Sequence, residues 1–392
     1  MTASFIRHDD FPAFVSAMIE AGPVYGPVAK RSRFAFERLE APGDLRLDYD
    51  VTILPPKKLF FPPAQDLLHF DEAGFRAPLE PVEKVLLGVH FYDVKAIDQT
   101  DLLFSERNCD VNYMAHRETT TIVASNIQNV FHRAFFASVG RNVFPHGHDA
   151  FLTAIEGGYV FETRTERGEK LLALGAFEPA TDAQVKEAAQ VNAAVLEQCP
   201  EKLESGTREI ADKVRASFKD EALWTELAED CFSCGSCNTV CPTCYCFDVQ
   251  DTWNVDQVSG QRTRFWDGCL TEDFAKCSLG EGACENFREE RAARFRHRIM
   301  RKATYLNVKL GGPACVGCGR CSAACTAAST RARSSSVSVG RLPVATGASS
   351  SEIASAPGAA TGSSERPPET TRPPSALLRA ETSPLYTSPS PP

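Results

Sequence analysis

Two runs of cysteines have the spacing that points most clearly to chemistry in this sequence. Each run has the pattern C-x2-C-x2-C-x3-C, and the positions are Cys231, Cys234, Cys237 and Cys241 in the first run and Cys315, Cys318, Cys321 and Cys325 in the second. This spacing is the ligand pattern of ferredoxin-type [4Fe–4S] clusters. Three thiolates that are three residues apart lie on one tight loop, where they can bind three corners of an iron–sulfur cube. The sequence therefore predicts two [4Fe–4S] clusters.

The fourth cysteine of each run is predicted to bind the cluster of the other run, as it does when two such runs occur together. The first cluster would be held by Cys231, Cys234, Cys237 and Cys325, and the second by Cys315, Cys318, Cys321 and Cys241. Structural zinc fits less well, because zinc sites use two separated cysteine pairs. Disulfides also fit less well, because cysteines this close in sequence cannot all pair without strain.

Composition places the chain among metal-binding proteins of a reducing compartment. It has 392 residues, 15 cysteines and a net charge of −9. The negative charge argues against a general nucleic-acid-binding protein. The sequence has neither an N-terminal apolar stretch of signal-peptide length nor an apolar run long enough to cross a membrane. Because cysteine-rich proteins of reducing compartments bind metals rather than forming disulfides, we expect a cytoplasmic protein without membrane insertion.

An α+β fold is predicted, and its first part is a small α/β domain over residues 1–205. Residues 85–89 and 119–124 are short, β-branched apolar runs typical of buried strands. A helix over residues 93–104 is expected between them, which is the alternation of an α/β unit. Residues 158–174 are expected to form a hairpin.

The second part, residues 206–325, is predicted to be an all-α two-cluster ferredoxin module. Helices are expected over residues 208–228 and 287–302, and the long segment between the two runs is predicted to be mostly helical. Compact bacterial ferredoxins instead join their runs by a short β-rich segment. Residues 326–392 are rich in Ser, Ala, Thr, Pro and Arg, with Tyr386 as their only aromatic residue. They are predicted to form a disordered tail, because this composition cannot bury a core.

Several charged and thiol groups fit more than one interpretation. Lys57 and Lys58 lie in a proline-flanked loop that is expected to be solvated, and an anionic partner or cofactor is the alternative. The basic helix over residues 287–302 has either a solvated or internally paired face, or a docking face for an acidic partner. Further cysteines lie between the runs, at Cys244, Cys246, Cys269, Cys277 and Cys284. The first three are expected to pack near the clusters and tune them, and a third cluster or a zinc site is the alternative.

Several segments resemble one known family of iron–sulfur proteins. They are Cys241-Pro-Thr-Cys-Tyr-Cys-Phe-Asp248, Trp266-Asp-Gly-Cys269, Asn286-Phe-Arg288, Cys315-Val-Gly-Cys-Gly-Arg-Cys321 and, more loosely, Leu54-Pro-Pro-Lys-Lys58 and Tyr113-Met-Ala-His-Arg-Glu118. This pattern, over about residues 20–325, resembles the two-cluster iron–sulfur subunits of the anaerobic sulfite reductases and the beta subunits of the sulfhydrogenases. The chain departs from the family at Thr326, where the family has proline, so the last loop is expected to be less rigid.

The resemblance implies an electron-transfer subunit rather than a catalytic one. Such subunits carry electrons between a flavoprotein subunit that oxidises NAD(P)H and a catalytic subunit that reduces sulfite or sulfur compounds or acts as a hydrogenase. No catalytic residues are predicted in this chain, and no Gly-rich dinucleotide fingerprint follows a strand. An iron–sulfur sensor or scaffold without redox turnover is the alternative function. No nucleic-acid partner is expected.

Overall fold

The computed structural model describes residues 3–139, 146–280 and 282–327, which fold into a mixed α/β structure. Its strands are β1 (Ala3–Arg7), β2 (Val24–Lys30), β3 (Arg33–Arg38), β4 (Ala64–Asp71), β5 (Gly74–Arg76), β6 (Lys84–His90), β7 (Thr120–Ser125), β8 (Ala150–Ile155), β9 (Gly158–Thr163), β10 (Glu178–Pro179), β11 (Phe247–Trp253), β12 (Gly260–Trp266), β13 (Lys276–Gly280) and β14 (Ala283–Asn286). Its α-helices are α1 (Phe11–Ala21), α2 (Phe91–Phe104), α3 (Val111–Glu118), α4 (Glu166–Leu172), α5 (Asp182–Glu197), α6 (Thr207–Ala216), α7 (Glu221–Leu227), α8 (Ser236–Thr239), α9 (Arg291–Met300), α10 (Asn307–Leu310) and α11 (Arg320–Ala323). Among these described residues, no helix has the length and apolar character needed to cross a membrane.

The larger sheet is built from the N-terminal half of the chain, in the order β10-β1-β9-β8-β7-β6-β2-β3. The four neighbours β2, β6, β7 and β8 are parallel, and the outer pairs are antiparallel. Most residues of β6 and β7 are buried, as expected for central parallel strands covered on both faces. The predicted buried strands and the helix between them are therefore confirmed as β6, α2 and β7.

The smaller sheet joins two distant parts of the chain. It is antiparallel, in the order β11-β12-β4-β5, so β12 from the segment between the cysteine runs pairs with the N-terminal strand β4, and β11 forms the edge next to β12. Thr263 Oγ1 donates a hydrogen bond of 2.6 Å to Asp66, and Trp266 Nε1 donates one of 3.0 Å to the Phe61 carbonyl. The segment between the runs is thus anchored on the N-terminal part.

The prediction that residues 206–325 form an all-α module is wrong. The segment between the runs contains β11 to β14, and β11 and β12 form a hairpin of seven paired positions. Both strands are rich in aromatic and β-branched residues, and the intervening segment contains Asn254, Asp256 and Ser259, which are turn formers. The prediction of a mostly helical segment between the runs is wrong as well, because this local composition favours a hairpin.

Two smaller predictions also differ from the structure. The hairpin consists of β8 and β9, whereas residues 171–172 lie in α4, which begins after the capping residue Thr165. The helix expected over residues 208–228 is interrupted before α7, because the Asp220 carboxylate accepts a hydrogen bond of 3.0 Å from the Leu223 amide and starts a new helix. The predicted tail begins at residue 326, and its residues 328–392 lie outside the described ranges.

Candidate metal centre

The two cysteine runs have the same local backbone structure. In each run a residue with left-handed φ precedes the second cysteine: Ser233 at 54° and Gly317 at 68°. A left-handed glycine follows that cysteine, Gly235 at 72° and Gly319 at 79°, and begins the short helix that carries the third cysteine. In each run the amide of the first left-handed residue donates to the first cysteine sulfur, at 3.4 and 3.5 Å. The spacing thus folds each run into a compact thiol-bearing loop.

The loop of the second run is seated against the N-terminal part of the chain. The Gly317 carbonyl accepts a hydrogen bond of 2.8 Å from the Phe135 amide. A Cβ atom at Gly317 would lie 2.6 Å from the backbone of Phe136, and one at Gly319 would lie 2.5 Å from the Arg133 carbonyl oxygen. Cys318 belongs to the hydrophobic cluster that includes Phe136. The left-handed backbone and the close packing both require glycine at these two positions.

Arg320 fixes the same loop from inside the fold. Its guanidinium forms two hydrogen bonds of 2.6 Å with the Asp93 carboxylate, and it also donates to the Thr52 carbonyl and hydroxyl oxygens at 2.9 Å. Both charged side chains are at most 2% exposed. Burial raises the pKa of Asp93, and the adjacent Arg320 opposes that shift. Sequence reasoning missed this pair, although a charged residue between Cys318 and Cys321 was a visible signal.

Thiols from both runs surround one cavity of about 560 Å³. It is lined by six of the eight predicted ligands: Cys231, Cys234, Cys237, Cys315, Cys321 and Cys325. This volume lies within the range of about 300–1,000 Å³ typical of ligand and cofactor sites. Over the described ranges, no three or more His, Cys, Asp or Glu side chains converge closely enough to hold a single metal ion. The thiols enclose a larger space, which fits a polynuclear iron–sulfur group better than one ion.

The end of the second run lies beside the first run. Cys234 Sγ is 3.4 Å from the Ser236 hydroxyl and 3.5 Å from that of Thr326, the residue that follows Cys325. These two hydrogen bonds, the one with Ser236 more strongly, lower the pKa of Cys234. Thr326 replaces the proline of the resembling family, and its hydroxyl makes a contact that proline cannot make.

Cys241 in turn lies among the thiols of the second run. Burial is the main cause that raises the pKa of Cys315 to about 11 and the pKa values of Cys318 and Cys321 to about 12. The charge of Cys241 adds to the rise at all three positions, and it also raises the pKa of Cys237 in its own run, so it acts on thiols of both runs. Thiols must lose their protons to bind metal, so binding here releases protons. The crossed assignment of the ligands to the two clusters stays a prediction.

Two cations, one near the C-terminal end of α9 and one in the π-helical turn Arg301–Tyr305 that follows it, face these thiols. Arg298 is buried, and its Nε and Nη2 donate hydrogen bonds of 3.2 Å to the sulfur and carbonyl oxygen of Cys237. Lys302, one turn further on, donates a hydrogen bond of 2.6 Å to Thr243, whose hydroxyl is 3.4 Å from Cys241 Sγ. At these two positions the basic segment is paired internally, which is one of the alternatives that the sequence left open.

Lys57 is buried, so the expectation of a solvated lysine is wrong at this position. Its ammonium donates a hydrogen bond of 2.6 Å to the Cys244 carbonyl and lies 4.2 Å from the centre of the Trp266 ring. Burial lowers the pKa of Lys57 to about 8, and the nearby thiols of Cys244 and Cys241 oppose the shift. The lysine is thus part of the thiol-rich interior rather than of the surface.

The remaining cysteines divide into two groups. Cys244, Cys246 and Cys269 line a small cavity of about 30 Å³, where the Asn238 amide donates a hydrogen bond of 3.3 Å to Cys269 Sγ. Cys277 and Cys284 are exposed on the hairpin of β13 and β14. All fifteen cysteines belong to the described ranges, and each is a free thiol. The first group packs beside the predicted cluster ligands, and the second lies at the surface.

Comparison with known proteins agrees with this site. Residues 230–329 match a family described as a 4Fe-4S dicluster domain. The beta subunit of sulfhydrogenase 2 from Pyrococcus furiosus is 32% identical over 327 residues, which span 82% of this chain and 94% of that relative. A match of this extent goes far beyond the dicluster domain and includes much of the N-terminal part of the chain. The chain therefore belongs to the family of sulfhydrogenase beta subunits and carries an iron–sulfur domain of the dicluster type.

Proposed function

We propose that this protein is the electron-transfer subunit of a sulfhydrogenase-type oxidoreductase complex and carries two [4Fe–4S] clusters. The observation that supports this most directly is the cavity of about 560 Å³ that thiols of both runs enclose. One cluster would be held by Cys231, Cys234, Cys237 and Cys325, and the other by Cys315, Cys318, Cys321 and Cys241. Such clusters supply one-electron transfer over a wide range of potentials.

The two runs differ in exposure, which favours a different role in electron transfer for each. Cys318 is buried, and Arg320 and the packed glycine positions fix its loop inside the fold. Cys234 is exposed, and the neighbouring Phe232 side chain is 68% exposed. The first run would therefore face a partner protein, while the second lies deeper and passes the electron on.

The family favours two kinds of partner. One is a flavoprotein subunit that oxidises NAD(P)H, and the other is a catalytic subunit of the hydrogenase or the sulfite- or sulfur-reducing type. The chain offers no group that we assign to catalysis, so the reaction would take place on the partner. The free thiols support a reducing compartment such as the cytoplasm.

Electron exchange separates this function from a sensor or scaffold. Anaerobically purified protein should contain about eight irons per chain, as two [4Fe–4S] clusters require. With NADPH and a flavin-containing NADPH reductase, its visible absorbance should bleach rapidly and recover on oxidation over many cycles. An iron content near four, or zinc in place of iron, contradicts the two-cluster assignment. Clusters that do not exchange electrons, or that decay on cycling, indicate the sensor or scaffold.

Replacing single cysteines tests the crossed ligand assignment. Cys318→Ser removes a ligand of the second cluster and gives the electron paramagnetic resonance spectrum of the first cluster alone. Cys241→Ser should give the same spectrum, although Cys241 belongs to the first run. Cys109→Ser, which changes an exposed cysteine far along the chain from both runs, is the control and should keep both signals. If Cys241→Ser loses the first cluster's signal instead, each run binds its own cluster.

A further inference from the structure

Arg298 is placed to act on the sulfur of a predicted ligand. Its Nε donates a hydrogen bond of 3.2 Å to Cys237 Sγ, and its Nη2 holds the Cys237 carbonyl at the same distance. The side chain is buried and lines the cavity that both runs enclose. A buried cation in contact with a thiolate is a strong electrostatic neighbour, because little water screens it.

Lys302 lies four residues after Arg298, near predicted ligands of the second cluster. Its ammonium reaches Thr243 at 2.6 Å, and the Thr243 hydroxyl lies 3.4 Å from Cys241 Sγ. Cys315 is also among the thiols whose charge acts on Lys302. Lys302 therefore lies beside two predicted ligands of the second cluster. Arg298 hydrogen-bonds a ligand of the first, and its charge acts on Cys237 more strongly than on Cys321 and Cys241 of the second.

Other charged groups that line the cavity, and the neighbouring Arg296 on α9, are exposed to water or lie away from the thiols. The carboxylates that line it, on Glu226, Glu229 and Asp230, are exposed and so are screened by water. Arg296, which is also on α9, contacts Phe218. Its guanidinium donates a hydrogen bond of 3.0 Å to the Phe218 carbonyl and lies 4.5 Å from the centre of the Phe218 ring. Arg298 is thus the arginine that contacts a thiol inside the fold, and Arg296 is a matched arginine that lies away from the thiols.

We propose that Arg298 and Lys302 are positioning residues that set the reduction potentials of the two clusters unequally, Arg298 mainly for the first cluster and Lys302 mainly for the second. This inference rests on the proposed function. Reduction adds a negative charge to a cluster, and a nearby buried cation stabilises that charge and so raises the potential. A hydrogen bond from Arg298 to the ligand sulfur acts in the same direction. Two residues one turn apart, at the end of α9 and in the π-helical turn Arg301–Tyr305 that follows it, would therefore act on the potential difference between the clusters in opposite directions.

Redox titration followed by electron paramagnetic resonance tests this proposal. The variants are Arg298→Met, Lys302→Met and Arg298→Lys, with Arg296→Met as the matched control, and the iron content of each is measured first. Arg298→Met should shift the first cluster's potential to more negative values, and shift the second's less. Lys302→Met should show the reverse order. Arg298→Lys keeps the charge but loses the guanidinium geometry, so its shift should be smaller than that of Arg298→Met.

The outcomes separate this proposal from the proposed function. Wild-type protein with about eight irons and reversible clusters, but with potentials unchanged in Arg298→Met and Lys302→Met, overturns the tuning role alone. Equal shifts of both clusters in each variant, or an equally large shift in Arg296→Met, also overturn it. Wild-type protein without two clusters contradicts the proposed function instead. If Arg298→Met does not assemble its clusters, the potential of the first cluster is measured in Arg298→Lys instead. An unchanged potential in Arg298→Lys overturns the hydrogen-bond contribution of Arg298.

Discussion

Replacing Asp93 by asparagine tests how the second cysteine run is held in place. Asp93 lies on α2 in the N-terminal part, and its partner Arg320 lies between Cys318 and Cys321. The two side chains meet through a pair of 2.6 Å hydrogen bonds and are almost fully buried. Asparagine keeps the size of the side chain but removes its charge, so the Arg320 guanidinium is left buried without a counter-charge.

The cost of this change follows from burial. Removing one partner of a buried ion pair destabilises a protein by about 3–5 kcal/mol, because the other charge stays desolvated. Asp251 and Arg262 form a matched pair with two hydrogen bonds of 2.7 Å, but their side chains are 40% and 48% exposed. Water screens an exposed pair and solvates the charge that is left, so Asp251→Asn should have a much smaller effect.

Anaerobic urea unfolding and iron content together measure the effect. Asp93→Asn should lower the free energy of unfolding and lose the second cluster's signal before the first's, because Arg320 fixes only the second loop. The double variant Asp93→Leu/Arg320→Met should be more stable than Asp93→Asn, since it leaves no unpaired charge. If Asp93→Asn costs no more than Asp251→Asn, or loses the first cluster preferentially, the buried pair does not hold the second run as argued.

Three further predictions concern the loop, a buried histidine and the tail. Gly317→Ala should lose the second cluster's iron, because its φ of 68° and a Cβ contact of 2.6 Å both oppose a side chain, whereas Gly312→Ala has open space and should keep it. Burial holds the pKa of His90 well below 6.5, so its imidazole stays neutral in the folded state and gains a proton only on unfolding. Lowering the pH from 6.5 to 5.5 should therefore reduce the free energy of unfolding by about 1 kcal/mol more in the wild type than in His90→Asn. Urea unfolding measures both losses, and equal losses would contradict this. Truncation after Ala328 should leave the iron content and the unfolding midpoint unchanged, because the tail's composition cannot bury a core, and precipitation or iron loss would contradict that.

Local patterns predicted the parts of the fold that depend on neighbouring residues. The cysteine spacing indicated the thiol loops, and the apolar runs at residues 85–89 and 119–124 indicated the central strands. The contacts that hold these loops could not be predicted in the same way. Arg320 and Asp93 are 227 residues apart, and Lys57 and the Cys244 carbonyl are 187 residues apart. Neither pair has a signal in a local window.

Helix α9 illustrates a second limit. Its arginines indicate a charged helix, but periodicity alone does not say which arginine meets solvent and which meets a sulfur. Arg298 faces Cys237 because α9 packs against the other helices around the first run, and that packing depends on the whole fold. The hairpin of β11 and β12 is a different case, because its strand and turn residues are visible in the local sequence.

The smaller sheet also has a consequence for biosynthesis. Asp66 in β4 bonds Thr263 in β12, 197 residues later in the chain. A ribosome adding about 5–20 residues per second needs on the order of 10–40 s to make that partner. Until then β4 has an unpaired edge, which is a template for unwanted strand pairing. The nascent chain therefore carries this open edge for about half of its synthesis, and the second cysteine run is made only after the partner strand β12.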